Sequence, residues 1–167
     1  MKKILFVLMV LLVIGGAFVF FNSKDNYDAS KYFVRYDGKS IEFKLPDQFD
    51  KPHEVSNNTK LLIFAFRKKD GHILREYLKS HEANLLEKNH AMFIADISKV
   101  PVIIRNMVIL KDFKKSAFPV VIIYDKKISK LLNDNKEKIV VMHLDNKKIT
   151  KIEHFSTEQE VDRLFKN

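Results

Sequence analysis

No cysteine occurs anywhere in the 167-residue sequence. Disulfides, thiol peroxidase chemistry, Cys-ligated zinc and iron–sulfur clusters all depend on a thiolate, so each is excluded for this chain. Attachment of a lipid through cysteine is excluded with them. Glycine is also scarce, with four residues in all, which leaves little material for a loop that cradles phosphate. No Walker loop, dinucleotide fingerprint, serine nucleophile elbow or zinc-protease motif is present. A conventional enzyme is therefore not expected, nor is a resident cofactor. Long charged or low-complexity tracts and internal repeats are missing as well, and 167 residues hold one ordinary domain plus a short appendage.

What the sequence does have is concentrated at its start. Ile4 to Phe21 is an uncharged run of eighteen residues behind Lys2 and Lys3. At about 1.5 Å per helical residue it nearly crosses a hydrocarbon core of about 30 Å. The two lysines favour the cytoplasmic side, which directs the rest of the chain outward. Gly15, Gly16 and Ala17 allow the competing reading of a cleaved signal peptide. The run continues through Phe18, Val19, Phe20 and Phe21, which fits a retained anchor better than a cleavage site. Both readings export the remainder of the chain. The expected organisation is an anchor over residues 1–21, a spacer over 22–31 and an extracytoplasmic domain over 32–167.

The net charge is +9. Setting Lys2 and Lys3 aside leaves 28 basic against 21 acidic residues, or +7 in the exported part. Such a domain is drawn to anionic lipids or acidic partners. Nucleic acid is not an expected partner, because the lysines are dispersed and aromatic stacking motifs are missing. The group Lys126, Lys127, Lys130, Lys136 and Lys138 reads as a solvated edge that also discourages strand pairing.

Past the spacer, Tyr32 to Tyr36 and Ser40 to Leu45 flank Asp37-Gly38 as a hairpin. Leu61 to Phe66, Ala91 to Ile97 and Val120 to Tyr124 are nearly continuous apolar runs, the pattern of strands covered on both faces. Ile73, Leu74, Tyr77, Leu78, His81, Leu85 and Leu86 recur at helical spacing between the first two runs. Between the second and third, Ser98 is placed to cap a helix with Pro101 in its first turn. Its inward face is expected to be Ile103, Ile104, Met107, Val108 and Phe113. Lys126 to Lys138 is either a short helix or a loop. Ile139 to Leu144 and Ile149 to Phe155 form a second hairpin, so the sheet should be mixed. Thr157 and Glu160 fit a capping box on a final helix that turns Val161, Leu164 and Phe165 inward.

The order strand, helix, strand, helix, strand, hairpin, helix from Leu61 to Phe165 resembles the thioredoxin-like fold. The Asp37-Gly38 hairpin and Leu45-Pro46-Asp47-Gln48-Phe49 look like the N-terminal extension of a redoxin. The resemblance covers most of residues 40–167. It implies a mixed α/β sheet flanked by helices, with a proline, usually cis, before the strand that opens the terminal hairpin. Phe118-Pro119-Val120-Val121 stands at that point. It also implies that Lys69-Asp70-Gly71-His72 occupies the place of the family's Cys-x-x-Cys motif, so the family's thiol activity does not carry over.

Lys69, Asp70, Gly71 and His72, facing Pro119, are thus the candidate vestigial site, with ligand binding or proton transfer as its conceivable chemistry. The competing explanation is ordinary helix-start chemistry, with Asp70 as N-cap, Gly71 relieving strain and His72 solvated. His72, His81 and His90 cannot share a helix face, since a spacing of nine rotates them by about half a turn. His81 is expected to be a hydrogen-bonded boundary residue. His143 and His154 are candidates to meet across the terminal hairpin. The resulting expectation is a membrane-tethered, non-catalytic thioredoxin-like module that binds another envelope protein. A small-molecule or metal carrier is the alternative.

Overall fold

The structure, a computed structural model, describes residues 27–132 and 138–166. The apolar run at Ile4 to Phe21 and the first part of the expected spacer lie outside the described residues. Among the described residues, no helix is long and apolar enough to cross a membrane.

A short 3₁₀ turn, Ala29–Lys31, leads into a small antiparallel sheet of Phe33–Tyr36 (β1), Ile41–Pro46 (β2) and Pro52–Glu54 (β3). The β1–β2 turn does not use the pair of positive φ angles for which an Asp-Gly dipeptide is favoured in two-residue hairpins. Only Gly38 is left-handed, at φ +82°. Asp37 instead folds its carboxylate back to accept the Lys39 and Ser40 amides at 2.9 and 2.6 Å.

The apolar runs form the main sheet. Leu61–Ala65 (β4), Ala91–Asp96 (β5) and Val121–Ile123 (β6) are parallel, while Ile139–Asp145 (β7) and Lys148–Phe155 (β8) add antiparallel strands. The order is β6-β5-β4-β7-β8, a mixed sheet as expected. Its helices are Lys68–Lys79 (α1), Leu85–Lys88 (α2), a continuous helix α3 over residues 102–113, Lys126–Leu132 (α4) and Glu158–Phe165 (α5). The lysine-rich segment after β6 thus begins as a helix.

Alternation along the strands divides the interior in two. Leu61, Ile63 and Ala65 of β4 face one core with Leu74, Tyr77, Leu78, Phe113 and Val161 from the helices. Leu62, Phe64 and Phe66 face the other, whose far wall is Ile41, Phe43 and Leu45 of β2. Ser40 pairs with Lys148 at the β8 edge, and Asp47 pairs with Val121 at the β6 edge. β2 therefore crosses the whole sheet. Its six residues, at about 3.3 Å each, match four inter-strand gaps of about 4.8 Å.

Three helical expectations change. The first helix stops at Lys79 and does not run on to Leu86. There the Ser80 hydroxyl and His81 Nδ1 both bond the Tyr77 carbonyl, at 2.8 and 2.7 Å. His81 is thus hydrogen-bonded, as expected, and its ring also packs on Tyr77. The second helix starts at Val102 with Pro101 as its N-cap, and Ser98 donates its amide to Asp96 without capping the helix. Within α3, Arg105–Ile109 is a π-helical turn in which the Leu110 amide reaches back five residues to the Arg105 carbonyl. The extra residue in that turn rotates the helix. Arg105 is buried and its guanidinium lies over the Tyr124 ring, whereas Ile104, Met107 and Val108 point outward. The expected inward face is therefore wrong for those three residues and right for Phe113. The capping box on α5 forms as expected, between Thr157 and Glu160.

Arg75, buried on α1, reaches Asp112 of α3 at 2.5 Å and ties the two helices together. That hydrogen bond, opposed by partial burial, holds the Asp112 carboxyl below its ordinary value. Because the folded value is the lower one, the stabilisation is complete above about pH 4 and is lost as acid titrates Asp112 in the fold. Asp112→Asn should therefore flatten the fall in stability below about pH 4, measured by urea unfolding across pH. Separately, Phe43→Ala should cost about 3–5 kcal/mol, and Phe49→Ala, at a position 59% exposed, less than about 0.5. Equal losses in the two variants would mean that β2 is not part of the core.

Candidate functional site

β4 ends at Ala65, and the chain turns through Phe66 and Arg67 into α1, so the Lys69 to His72 tetrapeptide sits in the first turns of a helix. Asp70 is its third residue, and the N-cap is Arg67. This corrects the expected capping role. Asp70 is fully buried, and Arg67 grips it through two bonds, Nε to Oδ2 at 2.8 Å and Nη2 to Oδ1 at 3.0 Å. A carboxylate near a helix N-terminus is favoured by the aligned amide dipoles, and the bidentate guanidinium fixes its orientation. Both oxygens are committed, so Asp70 is poorly placed to take a proton from a substrate. Lys69 and His72 are exposed. Gly71 does not adopt a positive φ, and an added Cβ would meet only the Ala65 Cβ at 3.9 Å, so it relieves no strain there.

Pro119 lies elsewhere. β4, β5 and β6 run parallel, so the start of α1 is at their C-terminal ends, while Pro119 precedes β6 at the N-terminal ends. β5 separates β6 from β4, and the strand that opens the terminal hairpin is β7. Pro119 therefore does not face the Lys69 to His72 turn, and no peptide bond among the described residues is cis. The reason lies in the N-terminal extension. Gln48 is buried and brackets the proline, donating to the Phe118 carbonyl at 3.0 Å and accepting the Val120 amide at 2.8 Å. Together with the Asp47 to Val121 bridge, this ties β6 to the small sheet at the edge. Beneath Pro119 is a groove of about 390 Å³ whose lining includes His53, Leu86, Met92 and Phe93.

The hairpin histidines also separate. His143 pairs with Lys151, and His154 pairs with Val140. Val140 and Val141 belong to different cores, and His143 lies two residues from Val141, so the two rings occupy opposite faces of the sheet. His143 contacts Glu153 at 2.6 Å, and Lys151 reaches the other Glu153 oxygen at 2.9 Å. The Lys151 bond chiefly, and His143 after it, hold the Glu153 carboxyl below its ordinary value. Among the described residues, no group of three or more acidic or histidine side chains is placed to hold a metal ion.

Sequence reasoning missed the polar residues behind the C-terminal ends of the strands. Asp96 accepts from the Ser129 hydroxyl at 2.5 Å and from the Ser98 amide at 2.9 Å, and Arg105 stacks on Tyr124 nearby in the fold. The signal was visible in Arg105, a lone charge inside the apolar stretch Val102 to Leu110.

No protein-family model matches the sequence, and comparison with the curated proteins finds no match. Solved structures are similar in fold. One is the peroxidoxin BcpB of Mycobacterium tuberculosis, with 14% identity, 80% of this chain and 95% of the other covered, and a TM-score of 0.50. Another is a Neisseria meningitidis protein described as a thioredoxin, with 19% identity, coverage of 78% and 93%, and a TM-score of 0.51. A third is the exposed lipoprotein thioredoxin of Streptococcus pneumoniae, with 14% identity, coverage of 75% and 98%, and a TM-score of 0.50. Identities this low establish fold alone. The chain carries a thioredoxin-like domain, and it does so without cysteine.

Asp70→Ala removes the partner of a guanidinium whose side chain is 31% exposed. The expected loss is about 2–3 kcal/mol, less than for a fully buried pair because water reaches Arg67. His72→Ala should change stability by less than about 0.5 kcal/mol. Thermal unfolding of both variants checks this, and the same cost at both positions would contradict the assigned geometry.

Proposed function

We propose that this protein is a non-catalytic thioredoxin-like binding module, tethered to the cytoplasmic membrane of a bacterium by its N-terminal apolar segment. Its domain faces the periplasm and binds another envelope protein. One observation carries the reading: the turn that bears thiols in redox domains is closed here by the Arg67 to Asp70 ion pair. No thiol stands at that turn, and its carboxylate is bound on both oxygens. The fold keeps a helix start at the end of a central strand, with Lys68, Lys69 and His72 exposed around it, and presents a basic surface there. The length and polarity of the Ile4 to Phe21 run support the tether.

The carrier reading loses its two pockets, since His72 is far from Pro119 in the topology and His143 is across the sheet from His154. What favours it is the groove beneath Pro119, whose volume falls within the range of about 300–1,000 Å³ usual for small-molecule sites. Native mass spectrometry of the full chain would show a stoichiometric bound compound if that reading is correct.

The binding-module reading is tested by placing a photo-crosslinking amino acid at Lys69 or His72 of the full-length chain in its native membrane, beside an anchor-only control. The expected result is a discrete domain-dependent adduct with one envelope protein, from a chain that resists carbonate extraction. Adducts at neither position, or a phenotype that appears only after Lys69→Cys with His72→Cys, would overturn it.

A further inference from the structure

The outward face of α3 has no partner among the described residues. Ile104, Met107 and Val108 are 44%, 59% and 56% exposed, three large apolar side chains within two turns of one helix. Exposed apolar groups gathered in this way and rimmed by charge mark interaction surfaces rather than ordinary solvated helix. They lie away from Arg105 and Phe113, the buried residues of α3, and Met107 and Val108 fall within the π-helical turn at Arg105–Ile109.

The charges beside them are mostly basic, with Asp50 the one acid in the cleft that Lys111 and Lys114 line. Lys111 and Lys114 follow on the same side of the helix, and Lys99 precedes it, all three exposed. The helix has a single acid, Asp112, which is engaged by Arg75 of α1. An apolar strip edged by lysines suits the boundary between lipid headgroups and acyl chains.

The chain also enters the domain beside this helix. The Tyr27 ring stacks on Tyr124 with centroids 4.7 Å apart, and Tyr27 lines a cleft with Leu110, Lys111 and Lys114. In the sequence, Phe21 ends the apolar run, and five residues separate it from Tyr27. Even fully extended, that stretch reaches about 20 Å. A tether so short keeps the side of the domain from which it departs turned toward the bilayer.

From these three observations we infer that the α3 face, centred on Ile104, Met107 and Val108 with Lys111 and Lys114, docks on the anionic membrane surface beside the tether. The inference rests on the proposed anchoring. Docking leaves the distant β8 edge open to solvent and orients the domain relative to the membrane.

The absence of cysteine makes single-site labelling direct. Full-length Met107→Cys and Thr150→Cys variants, the second on β8, are labelled with an environment-sensitive fluorophore. They are reconstituted in phosphatidylglycerol–phosphatidylethanolamine vesicles containing brominated lipid. The expected result is severalfold stronger quenching at position 107 than at 150. Lys111→Glu with Lys114→Glu, or phosphatidylcholine vesicles, should reduce it while the chain still floats with the vesicles. Equal quenching at the two positions in floating protein overturns the docking and leaves the anchor intact. Disulfide crosslinking of the unlabelled Met107→Cys variant to a second copy on addition of an oxidant, with no lipid quenching of the labelled one, overturns it in favour of self-association. Failure of the chain to float removes the anchor and the docking with it.

Discussion

The structure depends on apolar contact between β2 and one face of the five-stranded sheet. Ile41, Phe43 and Leu45 are each fully buried, and they cover Leu62, Phe64, Ile94, Val140 and Met142, residues that would otherwise leave half the sheet wet. Burying such side chains contributes roughly 1.5–3 kcal/mol apiece, so removing the cover would be costly. The same contact fixes geometry, because β2 is pinned at both edges of the sheet, at Lys148 and at Val121. Strand parity then decides everything attached to the sheet: which residues of β4 meet helices, and on which face each hairpin histidine emerges.

The pinned edge also accounts for the site. With Gln48 bracketing Pro119 and Asp47 bridged to Val121, β6 is kept at the margin beyond β5. The proline loop cannot approach the start of α1, which is left to satisfy its own electrostatics. It does so internally: Asp70 places negative charge near the helix N-terminus, and Arg67 neutralises it. A thiolate would need that same favourable field, so the ion pair occupies the electrostatic niche as well as the position.

Much of this was legible in the residues. Continuous apolar runs identified β4, β5 and β6 as strands covered on both faces, and Thr157 with Glu160 announced α5, because both signals are local. The placement of Pro119 was not legible, since it depends on Gln48, some seventy residues earlier in the chain. The outward turn of Met107 and Val108 was hidden for a different reason. Their apolar spacing with Ile103 and Ile104 suggests an inward face, but the residues of α3 that are buried are Phe113 and the charged Arg105, whose guanidinium lies over the Tyr124 ring. His143 and His154 failed as a pair through register: the residue opposite His154 is Val140, three positions from His143, which separates the two along the strand and places them on opposite faces.

The charge distribution decides how a basic domain behaves near a membrane. A net charge of +7 acts at long range only in dilute salt. At physiological ionic strength the screening length is about 8 Å, whereas a domain of this size is about 35 Å across. Lysines on the far side therefore contribute almost nothing to attraction, and position outweighs the total. Many of the domain's basic groups are also matched locally, as Lys79 is by Glu76 and Lys151 by Glu153. Lys111 and Lys114 sit where the chain enters the fold, on a helix whose one carboxylate is turned toward Arg75. In the proposed docking a short tether would bring those two within a screening length of the surface, and the apolar strip beside them would convert a weak attraction into a preferred orientation.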